Sequence, residues 1–527
     1  MSGLLFKDAQ PAETSTPHRA DIVCFVGFVR RRDASPLPAQ LKTWLQDNGW
    51  RERGTAVADL DPLLNVPVPL DSFEAFDRLF AWETRPPLPH AFPFTPWLGA
   101  AVRSFFRQGG ARCFVVRAGD PAPYSMLAEN ASPAERTAHR GAQRARLGAL
   151  LPGLPFSGTL PAARSAPATW KGLGVLFGLD EAAFVCFPDL PELVADATLE
   201  PAGLAPLPPA PEEFVECTPT LRPATDEIRQ VSVSPACTET GYVEWRRAVR
   251  HTGLFLRTQR RDVQLVVALP LPSPDLARSY TANLDLPTQV LGLGQGKSLD
   301  ETDGIASAFV QVSYPWLVTP GAEALPGGLE PPDGVLAGVL ARTIPERGVA
   351  HSIGRQPLRG VHDFHPALPV SDLVLDTPKG ASAALIHRVS LLGRTPDGPR
   401  VLSDVTTSLA ISHRPACIGR LTAALLRTAR QIGDSVTFEP SGGELWGRIR
   451  TQLDRLLNDF YAAGALSGAS AAEAYSIRCD ATTTTQADLD NGRVVAEVRF
   501  APAHPVGLIV VILSLREGSV TALEPAP

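Results

Sequence analysis

Short apolar runs alternate with helix-length amphipathic stretches through the first two thirds of the chain. Asp21–Val29 (DIVCFVGFV) is rich in β-branched and aromatic residues and predicts a buried strand. After Pro96, the residues Trp97, Val102, Phe105 and Phe106 fall near one face of a helix. Gly109-Gly110 ends that helix, because glycine takes the left-handed cap conformation without a steric cost. Cys113–Arg117 (CFVVR) predicts the next strand. The theme continues with a helix-like stretch Trp170–Leu179 before strand Ala183–Phe187. Helix Tyr242–Leu256 then precedes strand Val263–Leu269, and strand Ser307–Val312 follows. Such alternation predicts an α/β fold, a mostly parallel sheet with helices on both faces.

The last third has a different rhythm. Pro415–Ile432 reads as a helix with proline in its first turn. Val436–Glu439 reads as a strand. Glu444–Leu466 carries the clearest helical stripe, Trp446, Ile449, Leu453, Leu456, Leu457 and Phe460. Arg450 and Asp454 can pair across one turn of it, and Gly468 lies just past its end. Tyr475–Asp480, Arg493–Phe500 and Gly507–Leu515 predict strands, with Asp490-Asn491-Gly492 as turn residues before the second. Helices followed by strands make this an α+β region. Within it Leu508, Ile509, Val510, Val511, Ile512 and Leu513 form a run with no polar face, which needs cover on both sides.

Composition narrows the function classes. The 527 residues are 44% hydrophobic and 20% charged, the profile of a globular chain long enough for three or four domains at about 100–200 residues each. A net charge of −6 argues against a general nucleic-acid binder. Met1–Arg19 lacks the apolar core of a secretory signal, and no apolar run reaches membrane-spanning length. The seven cysteines are scattered, with no C-x-x-C pair, and read as reduced buried thiols. Prolines concentrate around Pro152–Pro167 and Pro201–Pro211, which suits extended connectors.

Chemistry-bearing motifs are weak. Gly292–Ser298 (GLGQGKS) ends like a phosphate-binding loop, but Leu291 stands where the first glycine is needed. The residues that follow include Asp300, Glu301 and Asp303 and make a poor helix, so the stretch reads as a surface loop. His362-Asp363-Phe364-His365 offers two possible metal ligands, and nothing nominates a third. Arg246, Arg247, Arg250, Arg257 and Arg260-Arg261 form a basic helix, read either as a solvated face or as a docking surface for an acidic partner. No cofactor or metal is predicted, and an enzyme is the less favoured class.

Several segments in order resemble the tail sheath proteins of contractile phages, R-type pyocins and extracellular contractile injection systems. They are Asp21–Val29, then Pro67–Phe80 with its Asp71–Phe76 (DSFEAF), then Ala100–Arg117 with the double glycine. Tyr314-Pro315-Trp316-Leu317 follows, with Pro331-Pro332-Asp333-Gly334, Ala337-Gly338, Ala341-Arg342-Thr343 and Glu346-Arg347-Gly348. The C-terminal matches are Phe438-Glu439-Pro440, Leu445-Trp446, Gly464–Gly468, Ala474–Asp480, Asp490–Arg493, Ala501-Pro502 and Pro505. The family's opening Pro-Gly-Val-Tyr arm is replaced by Ser2–Asp8, Ile344 follows Ala-Arg-Thr where Asp is usual, and no tryptophan lies near Val401–Thr407.

The resemblance implies a structural subunit that stacks as hexameric rings around an inner tube protein and contracts to drive the tube. Its partners would be further copies of itself, the tube, and baseplate and tail-terminator proteins, with no nucleic acid and no membrane insertion. It would assemble in cytoplasm and then form part of a phage tail or extracellular particle. A sheath-like paralogue at one end of the tail is the main alternative, and a nucleotide-binding enzyme a weaker one. The implied organisation is an N-terminal arm at 1–20, α/β sheath domains at 21–365 with a Pro-rich insertion near 119–240, a C-terminal sheath domain at 366–505 and a terminal arm at 506–527. Inter-subunit strand exchange would use Leu4, Leu5 and Phe6 at one end and Leu508–Leu513 at the other. Arg420, Arg427 and Arg430, spaced to share one helix side, would face the tube.

Overall fold

The computed structural model describes residues 19–33, 35–51, 61–86, 94–153, 170–198, 233–279, 305–368, 385–435, 442–490, 493–504, 508–516 and 519–523. Leu4–Phe6, Gly292–Ser298, Val436–Glu439 and most of the two proline clusters lie outside these residues.

The first strands are β1 (Val23–Phe28), β2 (Val68–Leu70), β3 (Cys113–Gly119), β4 (Phe184–Cys186), β5 (Gln264–Ala268) and β6 (Val310–Tyr314). β7 (Trp316–Val318) and β8 (Asp363–His365) pair as a small antiparallel ribbon. β9 (Ser390–Thr395) and β10 (Gly398–Val401) follow. One eight-stranded sheet runs β10-β9-β6-β5-β4-β1-β3-β2. Its interior is parallel, and only the edge strands β10 and β2 are antiparallel to their neighbours. Every residue of β1, β4, β5 and β6 is buried, because helices cover both faces. The sequence reading of a mostly parallel α/β sheet therefore describes this part well. β9 and β10, which lie after residue 366, complete this sheet.

The helices around it are α1 (Ala39–Asp47), α2 (Phe73–Leu79), α3 (Trp97–Gln108), α4 (Pro133–Leu150), α5 (Leu190–Val194), α6 (Glu239–Gln259) and α7 (Asp333–Arg347). Helix α4 has a Ser132/Glu135 capping box; it lies in the region read from sequence as a Pro-rich insertion. The stretch Trp170–Leu179 holds a short 3-10 turn at Gly172–Phe177. Helix α3 ends as expected at Gly109, whose φ of 101° needs glycine. Helices α3 and α7 pack closely because of Gly334 and Gly338. A Cβ at Gly334 would sit 2.6 Å from the Ala101 Cα, and one at Gly338 would sit 2.6 Å from the Phe105 carbonyl oxygen. These are the glycines of the most distinctive sequence segment.

The last third contains α8 (Ala416–Ser435), α9 (Gly443–Ala462), β11 (Tyr475–Arg478), β12 (Arg493–Phe500), β13 (Ile509–Arg516) and β14 (Ser519–Leu523). A four-stranded antiparallel sheet runs β11-β12-β13-β14. Strand β12 alternates half-buried and buried residues along its length, so one face packs and the other meets solvent. Helix α9 buries Leu445, Ile449, Leu453, Leu456, Leu457 and Phe460. Trp446, read as part of that stripe, is only half-buried beside it. The left-handed glycine after α9 is Gly464 (φ 72°), not Gly468. Asp454 accepts a hydrogen bond from the Tyr475 hydroxyl at 3.1 Å, where Arg450 was the expected partner.

Candidate functional site

Helix α8 joins the two sheets, and its arginines do the joining. Arg420 donates to both Asp404 carboxylate oxygens, at 3.1 and 2.7 Å, and to the His351 carbonyl at 3.0 Å. Both side chains of that pair are almost fully buried. Burial opposes charge on Asp404, but the Arg420 guanidinium beside it holds the carboxyl below its ordinary range. Asp404 also accepts from the Gln311 amide of β6 and the Ile353 backbone N–H, which ties α8 to the large sheet.

About two turns on, Arg427 donates to the Asp262 carbonyl at 2.5 Å. Arg430 reaches both Asp262 oxygens, at 3.4 and 3.2 Å, and Asp180 at 3.0 Å. Arg260 grips the same Asp262 at 3.0 and 2.9 Å. Burial would raise the Asp262 carboxyl, but Arg260, Arg430 and Arg427 together hold it well below the carboxylate range. Burial lowers Arg427 itself to about 10. For the three arginines expected to face a tube, the partners seen here lie within the same chain. Arg420 and Arg427 are buried, and all three arginines are engaged inside the subunit, because buried carboxylates at the start of β5 and after β10 need them.

The terminal apolar run also finds its cover within the chain. In β13, Val510, Val511, Ile512 and Leu513 pair with Arg499, Val498, Glu497 and Ala496 of β12, and Ile509 pairs with Phe500. On the other side Ile512 and Leu513 pair with Leu523 and Ala522 of β14. Ile509, Val511 and Leu513 are buried, with α8 packed against this sheet. Val510 and Ile512 are half-buried and Leu508 is exposed. Within this chain β13 is an interior strand of its own sheet. Among the described residues, β11 and β14 are the edge strands of that sheet.

A contrasting set of acids lies at the opposite, C-terminal end of the parallel strands. Asp189, after β4, accepts the Phe28 N–H at 2.8 Å. Glu330 bonds Thr319, and Asp333 opens α7. One oxygen of Glu330 and one of Asp333 have no hydrogen-bond partner. Burial pushes Asp189 up to about 6 and Asp333 up to about 7, and raises Glu330 as well. Neither this cluster nor any other group of His, Cys, Asp and Glu among the described residues could hold a metal ion. Nearby, the Trp97 indole N–H donates to Glu192 at 2.5 Å and the Trp316 indole to the Leu269 carbonyl at 2.9 Å. The two rings meet edge to face at 5.7 Å. Sequence reading found both tryptophans but not their shared contact.

The other candidate motifs resolve as follows. His365 and Asp363 are exposed on β8, and His362 donates its backbone N–H to Val318. On helix α6, Arg247 pairs with Glu244 at 2.9 Å and Arg250 and Arg257 are exposed, whereas Arg260 is buried in the Asp262 network. The six described cysteines are all free and buried. No helix among the described residues is long and apolar enough to cross a membrane.

Neither a family model nor a curated protein matches this sequence. Solved structures do. A chain of the anti-feeding prophage baseplate, 6-fold symmetrised, matches at 18% identity with a TM-score of 0.52, covering 100% of this chain and 99% of that one. A chain of the same prophage's baseplate in the contracted state matches at 17% identity and a TM-score of 0.55, covering 97% of each. The helical sheath of that prophage in the contracted state matches at 19% identity and a TM-score of 0.49, covering 96% and 97%.

Proposed function

We propose that this chain, which has the fold found in contractile injection particles, is a structural sheath-type subunit of such a particle. The observation that carries this reading is the end-to-end correspondence of fold with the baseplate chains, across both sheets and with no large unmatched part on either side. The subunit would associate with copies of itself as stacked hexameric rings around an inner tube protein. Baseplate and tail-terminator proteins would meet the two ends of the stack.

The physical basis is a division of labour. The eight-stranded sheet, helix-covered on both faces, is a body that moves as a unit. Among the described residues, the four-stranded sheet ends in the edge strands β11 and β14, where a strand from a neighbour can add by main-chain hydrogen bonds. Contraction then needs a difference in packing energy between two arrangements of these bodies, and no catalytic residue. Leu4–Phe6 supplies an apolar segment suited to such an added strand.

A paralogue at the baseplate end is the second reading. It is favoured by two matches with TM-scores above 0.5 that come from baseplate structures. Copy number separates the readings. Quantitative mass spectrometry of purified particles gives a ratio near one per tube subunit for the main sheath. It gives a single ring's worth for an end component. An absence of the chain from tail-like particles overturns both.

A further inference from the structure

At the N-terminal end of the parallel strands, opposite the acid cluster, a groove of about 1290 Å³ runs between α1, α2 and α8. Ile22, Leu37, Leu41, Trp44, Leu70 and Leu79 form its apolar lining, with Leu37 and Trp44 half-buried. Its rim is charged: Arg112 faces Asp71 at 3.7 Å and Glu181 at 3.8 Å, and Arg78 stands nearby. Arg19, where the described chain begins, is itself part of the wall. Residues 1–18 precede Arg19 in the sequence, so the groove wall is where their tether begins.

That segment carries one apolar cluster, Leu4-Leu5-Phe6, followed by the charged pair Lys7-Asp8. The pattern complements an apolar trough with a rim of both charges. The tether from Phe6 to Arg19 has a typical span of about 20 Å as a flexible chain and about 45 Å fully extended. A tether of that length holds its end at a millimolar effective concentration. Docking in the same subunit thus needs only millimolar affinity for about half occupancy, whereas a second copy must supply far more at ordinary concentrations.

We propose that Leu4–Phe6 docks in this groove of its own subunit before assembly, as a latch that keeps the N-terminal segment from a neighbour. The latching role rests on the sheath-type reading; the docking itself does not. In the assembly reaction, an added strand on a neighbour's sheet would compete the segment out of the groove, so the groove sets a threshold against premature polymerisation.

Disulfide trapping tests the docking. Phe6→Cys and Gln40→Cys, the latter exposed on the groove wall, are placed in a Cys217→Ser background of the full-length chain. The dilute protein is oxidised with copper phenanthroline, and the products are read by non-reducing gel and peptide mass spectrometry. The expected result is an intrachain cross-link whose rate is independent of protein concentration. Leu37→Glu, on the groove side, should slow it at least tenfold while circular dichroism stays native. Cross-links only between chains, or an intrachain rate unchanged by Leu37→Glu, overturn the proposal. The same Leu37→Glu variant, with the N-terminal segment intact, should polymerise faster than the parent. Trapping without any polymerisation by either protein would keep the docking and sink the sheath-type reading, so the two fail separately.

Discussion

The two sheets solve burial in opposite ways. The large sheet hides every residue of its central strands and ends its edges with short antiparallel strands. The small sheet packs one face on α8 and α9, leaves the other half-open and, among the described residues, ends in the edge strands β11 and β14. The first arrangement suits a body that must not deform. The second suits a surface meant to receive another chain. What connects them is not a linker of loose residues but α8, fastened by Arg420–Asp404 and by the Asp262 cluster.

Breaking that fastening should have the largest effect. Arg420→Ala leaves Asp404 buried and unpaired, at an expected cost of about 3–5 kcal/mol in denaturant unfolding. Replacing both partners with apolar residues of similar size should recover most of it. A loss under about 1 kcal/mol in the single variant would show that α8 is held by packing alone. Leu453→Ala tests the small sheet by itself. It removes a buried side chain of α9 and should cost about 2–5 kcal/mol. Limited proteolysis should then cut first within 442–523, leaving the large sheet protected; equal loss of protection in both regions would mean that they unfold as one.

The large sheet carries its own test in pH. Asp189 and Asp333 have folded-state values raised to about 6 and about 7 by burial. The native state therefore holds more protons than the unfolded chain between about pH 4 and 7, and stability falls as pH rises through that window. Asp262 and Asp404 are depressed, so their contribution is present at neutral pH and lost as pH falls below the ordinary carboxylate range. Asp333→Asn should match the parent near pH 4 and exceed it by about 4 kcal/mol at pH 8. An unchanged pH profile would rule out a neutral Asp333. The smallest effect is expected at exposed Arg257 of α6, where alanine should change stability by less than about 0.5 kcal/mol.

The large sheet was legible in the sequence because parallel, doubly covered strands are continuous apolar runs with few alternatives. Helix α3 and its glycine cap were legible for a similarly local reason. The glycines of α7 drew notice through resemblance, and the packing explains them: they bring two helix backbones together. For the arginines of α8, spacing places side chains on a common side but cannot show what lies opposite. Their carboxylate partners, Asp262 and Asp404, lie outside the helix, so helical spacing could not report them. The run Leu508–Leu513 was rightly read as needing cover. The cover comes from β12 and β14, the strands directly before and after it in the chain, as an antiparallel meander.

The central claim is that this chain assembles through repeated subunit contacts. Cryo-electron microscopy of the full-length chain co-expressed with the tube protein of its own particle tests it most directly. The account predicts a helical or ringed polymer of this chain around a tube, with density beside the β11 or β14 edge contributed by a neighbouring copy. Free monomers at high concentration, with tubes left bare, would contradict it.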